Sequence, residues 1–236
     1  HATPTENIGI RVLPAPGHVA IDGKDNDWAL SGGIFACDDV ETQRDTRAVW
    51  MYAMYDKANL YLPAHFIDDT PLNNPGQTIA DYGWDGDCLR FRIITGYETP
   101  SERVSHWTNW QGRDGRNLMD IAYNRDLHGV HVKDAKTEGA QQAFKIDADG
   151  KGYVQEMSIP WKLLTTDGQE PDPKTGFRFT IEPNFTIGAK GRMSLKDIFQ
   201  PNIRPDRVFT FRAYTQWGTA SLEPTDNVKP KPVRLA

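Results

Sequence analysis

Apolar and polar residues alternate with a period of two along most of the chain. In the clearest example, Leu89, Phe91 and Ile93 are separated by two arginines. Successive side chains of a β-strand point to opposite faces of its sheet, so this pattern predicts a strand with one face in the core. Similar runs, each expected to form strand, cover residues 49–54, 60–66, 104–110, 118–123, 140–146, 152–159, 177–185 and 207–214.

Turn-forming residues separate these runs, and no long stretch has the 3.6-residue period of a helix. One short helical turn is expected at 159–164, with Pro160 at its first position, and another at 194–199, with Ser194 as N-cap. Pro63 interrupts a run and has no N–H to donate to a ladder, so it indicates a sheet edge or a bulge. Asp-Gly pairs, which favour turns between strands, occur at 22–23, 85–86, 149–150 and 167–168.

Together these elements predict an all-β fold. We expect a two-sheet antiparallel β-sandwich of immunoglobulin-like type with one or two short helical turns. A length of 236 residues is compatible with one all-β domain, which we expect over residues 1–222. Residues 223–236 contain three prolines and three basic residues without apolar periodicity, so this segment is expected to be a linker or a disordered tail.

Charge and hydropathy exclude two classes of partner. The 27 basic and 32 acidic residues give a net charge of −5 and are interspersed, so no basic stripe for nucleic acid is present. Mean hydropathy is −0.61, and every apolar run is shorter than the roughly 20 residues that a membrane span needs. The first residues do not have the pattern of a secretory signal, so any signal has been removed or lies outside this sequence. A secreted or periplasmic location is expected only from the family resemblance described below.

The sequence contains two cysteines, and it does not decide whether they form a disulfide bond. Cys37 and Cys88 are too few for a four-cysteine zinc site or a disulfide framework. They could form one bridge, or remain as two buried thiols.

Catalytic motifs are absent from the sequence. It contains no Gly-rich phosphate loop, no G-x-S-x-G, no H-E-x-x-H and no C-x-x-C. A glycoside hydrolase needs only two carboxylates at the right spatial separation, so a glycan-active enzyme stays as an alternative. His1 could chelate copper through its amine and imidazole, but no pattern around the other histidines supports this. A binding role is favoured over catalysis.

Acidic residues cluster at two predicted turns. Asp68 and Asp69 end one strand, and Asp85 and Asp87 precede the next. Carboxylates in turns, with backbone carbonyls nearby, suit the six to eight oxygen ligands of Ca²⁺. The pattern therefore predicts a structural calcium site, with ordinary turn formation as the alternative.

Three tryptophans stand in polar surroundings. Trp84 lies in a polar turn, and Trp107 and Trp110 flank polar residues in one predicted strand. Aromatic rings among polar groups can stack on the apolar face of a sugar while their neighbours bind its hydroxyls. We interpret these three as ligand contacts, with half-buried packing as the alternative. Tryptophans with apolar neighbours, expected in the core, are Trp28, Trp50 and Trp161.

Two arginines complete the candidate binding surface. Alternation places Arg90 and Arg92 on the sheet face opposite the core, one strand length from Trp84. Guanidinium groups bind hydroxyl, carboxylate or sulfate oxygens, so a ligand here could be acidic. Pairing of these arginines with Glu or Asp on the sheet is the alternative.

Five segments in order carry a resemblance to a known family. The chain resembles the carbohydrate-binding module family 9 and the related DOMON-like β-sandwiches, and the segments together span nearly the whole chain. The matching segments are IDGKDNDWA at 21–29, YDKANLYLPAHFIDDTPL at 55–72, WDGDCLRFRI at 84–93, GYVQEMSIPWKLL at 152–164 and WGTASL at 217–222.

This resemblance implies a module of secreted polysaccharide-degrading enzymes that binds sugar chain ends between two tryptophans and carries structural calcium. Trp84 aligns with the first of those tryptophans, but Arg90 stands where the family has an acidic contact. Residues 193–209 contain no second tryptophan. The opposing wall would then come from Trp107, Trp110 or Phe199.

The same superfamily implies an alternative function. Some members bind haem b through a methionine and a lysine or histidine, and Met51, Met54 and Met157 are candidates for such a ligand, with core packing as the alternative. Haem is the less favoured prediction. The sequence as a whole predicts a non-catalytic saccharide-binding module, attached to or working beside a larger carbohydrate-active enzyme.

Overall fold

The computed structural model describes residues 3–5, 7, 9–81, 83–123, 131–187, 198–199 and 217–224. Within these residues two β-sheets pack face to face around a shared hydrophobic core. The predicted all-β sandwich with short helical turns is confirmed. The run 207–214 and residues 225–236 of the predicted tail lie outside the described residues.

Strands account for a little under half of the described residues and are the main regular element. The strands that precede residue 100 are β1 (Gly9–Pro14), β2 (Ile34–Cys37), β3 (Arg47–Met51), β4 (Met54–Tyr55), β5 (Asn59–Tyr61), β6 (Ala64–Asp68) and β7 (Cys88–Thr95). The later strands are β8 (Arg103–Gln111), β9 (Asn117–Ala122), β10 (His131–Asp134), β11 (Gln141–Ile146), β12 (Gly152–Pro160), β13 (Phe177–Thr186), β14 (Ile198–Phe199) and β15 (Gly218–Leu222).

One strand joins the two sheets. The first sheet has the order β10-β9-β8-β7-β13-β15-β1, with β14 also beside β13. The second has the order β1-β4-β5-β12-β6-β3-β2, with β11 also beside β12. Residues 9–12 of β1 pair with β15, whereas Leu13 and Pro14 pair with β4. Both pairings of β1 are parallel, and the other described pairs are antiparallel.

The core lies between the inward faces of the two sheets. Phe91 of the first sheet is fully buried there, stacked at 5.6 Å on Trp107. From the second sheet, Phe66 stacks on Tyr153 at 4.6 Å and also contacts Phe185 of the first. Burial of one large apolar side chain contributes about 1.5–3 kcal/mol, so this contact between sheets is a main source of stability.

The structure confirms one of the two predicted helical turns and divides the predicted strand at Pro63 into two. The run around Pro63 divides into β5 and β6, which both pair with β12. A 3-10 turn follows Pro160 at Trp161–Leu163, as predicted. Residues 198–199, expected in a helical turn, form β14, and 194–197 lie outside the described residues. Helical elements that the pattern does not predict are 3-10 turns at Leu30–Gly32, Ile79–Asp81, Gly83–Asp85 and Ala135–Glu138 and the α-helix α1 at Val40–Gln43.

The segment between β1 and β2 covers part of the outer face of the second sheet. Trp28 is buried there against Val154 and forms a small second core. The carboxylate of Glu156 accepts hydrogen bonds from the backbone N–H groups of Asp22 and Gly23 at 2.6 Å and from Trp28 Nε1 at 2.9 Å. This buried carboxylate therefore fixes the covering segment to β12.

The two cysteines are buried free thiols on different sheets, so no disulfide is formed between them. Cys37 donates a weak hydrogen bond to Arg47 O at 3.6 Å, and burial raises the pKa of the Cys88 thiol far above its usual range. Among the described residues, no helix has the length and apolar character to cross a membrane.

Candidate functional site

The loop between β6 and β7 carries Trp84 and is held against the first sheet by buried contacts. The side chain of Asn74 is fully buried and donates to Gly83 O at 2.6 Å. Trp110 Nε1 donates to Gly76 O at 2.9 Å. The Trp110 ring also packs so closely on Gly83 that a Cβ atom there would overlap it. The loop consequently presents Trp84 in a defined position.

Trp84 itself is half-buried, and no described residue accepts a hydrogen bond from its indole N–H. Its backbone carbonyl accepts a hydrogen bond from Asn184 Nδ2 at 3.1 Å, which ties it to β13. A partly open ring with an unused N–H donor can contact a ligand. The four fully buried tryptophans differ, since each donates to protein: Trp28 to Glu156, Trp107 to Ser105, Trp110 to Gly76 and Trp161 to Asp56.

A row of charged side chains crosses the outer face of the first sheet. Arg90 on β7 stands opposite Glu182 on β13, and Arg90 Nη1 donates to Glu182 Oε1 at 2.9 Å. The imidazole of His106 on β8 lies between two guanidinium groups. Its Nε2 is 3.2 Å from Arg90 Nη2, and its Nδ1 is 3.1 Å from Arg92 Nη2. The row therefore holds its donors and acceptors in fixed positions.

Two polar atoms on β13 extend this row. The side chains of Thr180 and Asn184 are fully buried, and Thr180 stands opposite Arg92. Neither Thr180 Oγ1 nor Asn184 Oδ1 has a hydrogen-bond partner in the described part of the chain. Buried polar atoms without protein partners commonly bind an ordered water molecule, so these two are candidate positions for water.

The two arginines lie on the predicted face but in a different environment. Arg90 and Arg92 are 5% and 0% exposed, so the expectation that their guanidinium groups form an open binding surface is corrected. The alternative, pairing with an acidic residue, describes Arg90, which is bound to Glu182. A buried charge requires such a partner because desolvation is otherwise costly.

Trp107 and Trp110 are also corrected. Both rings are 0% exposed, so neither forms a surface platform in this structure. Trp107 faces the core, where its strand position places it against Phe91. Trp110 lies beneath the loop that presents Trp84, where it supports the candidate site without facing a ligand.

Sequence reasoning missed His106, Glu182, Thr180 and Asn184. The alternation in 177–185 does place 180, 182 and 184 on one face. It does not show that β13 lies next to β7, which brings Glu182 to Arg90. That pairing joins residues 92 positions apart and depends on the tertiary fold.

Two of the four predicted calcium ligands lie together. Asp68 and Asp87 are buried close enough together for their charges to interact. Burial and mutual repulsion raise the pKa of Asp87 well above its usual range, and burial raises that of Asp68. Asp87 accepts hydrogen bonds from Asn73 N and Thr186 N, whereas Asp68 Oδ2 has no hydrogen-bond donor among the described residues.

The other two aspartates are placed differently. Asp69 is exposed and forms an ion pair with Arg47 at 3.2 Å, away from the buried pair. Asp85 is 5% exposed in the 3-10 turn beside Trp84. Within the described ranges, no three His, Cys, Asp or Glu side chains form a cluster that could hold a metal ion. Any calcium bound here would need backbone carbonyl or water oxygens besides Asp68 and Asp87.

The three candidate methionines lie in the two hydrophobic cores. Met51 and Met157 are buried in the main core, and Met54 lies in the second core, where its sulfur accepts a hydrogen bond from Ala29 N at 3.2 Å. His1 and most of 193–209 lie outside the described residues, and of Phe199 only the backbone, in β14, is described.

The described strands form a β-sandwich with the fold of carbohydrate-binding modules of known structure. The chain is similar to a carbohydrate-binding module family 9 protein from Caldicellulosiruptor kristjanssonii, solved in complex with glucose. The identity is 16% over 93% of this chain and 100% of that one, with a TM-score of 0.54. The complex of a family 9 module from that organism with cellotriose gives 15% identity, 95% and 100% coverage and a TM-score of 0.55.

A third similar structure is a candidate carbohydrate-binding protein from Bacteroides uniformis. It is 11% identical, with 92% of this chain and 100% of that chain covered and a TM-score of 0.55. No family model and no curated protein sequence matches the chain. At these identities the likeness establishes a shared fold, and it confirms the resemblance to family 9 at that level.

Proposed function

We propose that the chain is a non-catalytic saccharide-binding module in which a sugar ring stacks on Trp84. The observation that carries the proposal is the partly open Trp84 ring with its unused N–H, set beside a buried polar row. This arrangement occurs in a fold shared with modules whose structures contain glucose and cellotriose. Aromatic stacking with a few fixed polar groups is how protein sites commonly bind and orient small ligands.

The polar row would orient the sugar behind the aromatic contact. Asn184 is bonded to the Trp84 backbone, and its unpartnered Oδ1 is as enclosed as the two arginines, so it would reach a sugar hydroxyl through a bridging water molecule. Thr180 Oγ1 offers a second position further along β13. Arg90 and Arg92 would act mainly by holding this face rigid, because both are enclosed by the protein.

The charges of this row favour a neutral saccharide over an acidic one. Arg90 already pairs with Glu182, and Asp120 is buried on the same face. A uronic or sulfated sugar would have to compete with these carboxylates for the guanidinium groups. The binding test therefore includes uronic and sulfated polysaccharides for comparison with neutral ones.

Affinity electrophoresis against neutral, uronic and sulfated polysaccharides tests the proposal. We expect a neutral polymer to retard the protein and Trp84→Ala to lower affinity at least tenfold, a loss of about 1.4 kcal/mol. The matched control is Ile146→Ala, which truncates an apolar side chain that is 47% exposed on the other sheet. Unchanged retardation of a folded Trp84→Ala protein would remove Trp84 from the site.

We also propose that Asp68 and Asp87 hold a structural Ca²⁺. Two buried carboxyl groups this close together repel when both are ionised, and a divalent cation would relieve that repulsion. The bare Asp68 Oδ2 is an available oxygen ligand. Calcium would then tie the end of β6 to the start of β7, the two strands that flank the loop carrying Trp84.

The setting of the module follows from the same proposal. A chain that binds polysaccharide would act outside the cytoplasm, as part of a secreted or periplasmic polysaccharide-processing system and joined to or beside a larger enzyme. Immunodetection in fractions of the source cells tests this, with the cytoplasmic fraction expected to lack the mature chain.

A further inference from the structure

The outer face of the second sheet carries a separate group of aromatic and polar side chains. Phe35 on β2 pairs with Trp50 on β3, and Trp50 pairs with His65 on β6. All three are half-buried, and the Phe35 and Trp50 ring centroids are 5.1 Å apart with the rings inclined at 42°. With Asp147, which is bonded to His65, they form what we call the Trp50 surface.

Trp50 is not the core residue that its apolar neighbours predict. No described residue accepts a hydrogen bond from its indole N–H, although buried tryptophans usually find a partner. The four fully buried tryptophans all donate to protein. Trp50 shares its half-buried ring and unused donor with Trp84, the residue assigned above to saccharide binding.

Polar groups for hydroxyl recognition lie on the neighbouring strand, at the position paired with Trp50, and in the turn next to it. His65 Nε2 and Asp147 Oδ2 are 2.8 Å apart, and their side chains are 43% and 28% exposed. Asp147 is held at the turn between β11 and β12, where its backbone N–H donates to Gly152 O. An open carboxylate, an open imidazole and an indole N–H together supply both acceptors and donors.

We propose that the Trp50 surface is a second saccharide-binding site, which takes a neutral sugar. One sugar ring would lie against Trp50, and its hydroxyl groups would bond to Trp50 Nε1, His65 and Asp147. The ligand class rests on the proposed function, but the site itself is independent of Trp84. A protein partner is disfavoured because four side chains are far fewer than the roughly 20–30 residues that each side of a stable protein interface contributes.

Two sites on different sheets would have a consequence for affinity. Trp84 lies in the loop held against the first sheet, and Trp50 lies on the outer face of the second sheet, so the sites do not share a side chain. A single polymer that reached both, or two neighbouring chains of an insoluble polysaccharide, would be bound more tightly than a short oligosaccharide, because the second contact is intramolecular.

Calorimetric titration with cellotriose and affinity electrophoresis with a soluble neutral glucan test the second site. We expect two sites per chain in the unaltered protein, one in Trp84→Ala, one in Trp50→Ala and none in the double variant. Trp50→Phe keeps an aromatic face but loses the N–H, so it should weaken the second site about fivefold, the effect of one hydrogen bond of about 1 kcal/mol. Circular dichroism and urea unfolding verify that each variant is folded.

The possible outcomes separate the two proposals. One site per chain, lost in Trp84→Ala and unaffected by Trp50→Ala, would overturn the second site and leave the proposed function standing. Binding that survives Trp84→Ala and disappears in Trp50→Ala would support the Trp50 surface and overturn the Trp84 site. No binding of cellotriose or of any polymer by the unaltered protein would overturn both.

Discussion

Arg90 and Glu182 stand opposite each other on neighbouring strands and form an ion pair of 2.9 Å, with 5% and 0% of their side chains exposed. The pair lies on the sheet face away from the core, next to the residues assigned to saccharide binding. The attraction between the two groups offsets the desolvation free energy that each buried charge would cost alone. Its contribution is best measured by removing each partner separately and then both together.

Glu182→Ala should destabilise the fold by about 3–5 kcal/mol, because it leaves the buried Arg90 charge without its carboxylate. Replacing both partners, as Arg90→Met with Glu182→Leu, should recover much of that loss. Urea unfolding followed by circular dichroism gives the free energies. A loss below 1 kcal/mol in Glu182→Ala would show that other groups compensate the guanidinium.

Gly83→Ala should destabilise the protein by about 1–3 kcal/mol and weaken saccharide binding. The added Cβ atom would overlap the Trp110 ring, so the loop that presents Trp84 must shift. Gly17→Ala is the matched control, since nothing lies within 4 Å of a Cβ atom at that position. Equal effects of the two substitutions on unfolding and on binding would contradict the packing argument.

Calcium removal should lower the melting temperature, and Asp87→Asn should abolish that response. A ligand that binds only the folded state at 100 times its Kd contributes about 2.7 kcal/mol. Asp69→Asn is the control, because Asp69 lies outside the buried pair and contacts Arg47. An unchanged melting temperature in EDTA, with no calcium found by elemental analysis, would refute the calcium site.

Glu156 should make stability depend on pH in the acidic range. Burial raises the pKa of this carboxyl above its ordinary value of 4.5, so the folded state binds the proton more tightly than the unfolded chain. The resulting stabilisation is complete below the unfolded pKa and is lost as the pH rises through the folded pKa.

The measurement for Glu156 compares the unaltered protein with Glu156→Gln by urea unfolding from about pH 4 to about pH 7. The advantage of the unaltered protein should shrink as the pH rises. The other acidic groups change the free energy of unfolding of both proteins equally, so their effect cancels when the two free energies are subtracted. A constant or growing advantage would show that the pKa of Glu156 is not raised.

The sequence pattern predicts much of the fold, because one-sided burial imposes a two-residue period on each strand. The run from Leu89 to Ile93 shows this directly, since its apolar residues are in the core and its arginines on the other face. The alternation does not predict β1, β2, β10, β14 or β15. Pro63 also shows a limit, since a single alternating run became two strands paired to β12.

The candidate site is less predictable because its composition depends on long-range pairing. Trp84 was recognised from its polar turn, but local sequence could not distinguish it from Trp110, which lies under the same loop. Trp50 was assigned to the core because alternation does not reveal whether an outer sheet face is covered. The segment after β1 covers Val154 on that face, while Trp50 on the same row remains half-buried.

The dual membership of β1 has a mechanical consequence. Because one end of the strand is bonded to β15 and the other to β4, the two sheets cannot slide past each other without breaking backbone hydrogen bonds in both. If a bound polymer pulled on one sheet, β1 would therefore transmit part of the force to the other sheet. Force on an anchored module would be shared across the whole sandwich, and local peeling of the ligand-bearing sheet would be resisted at β1.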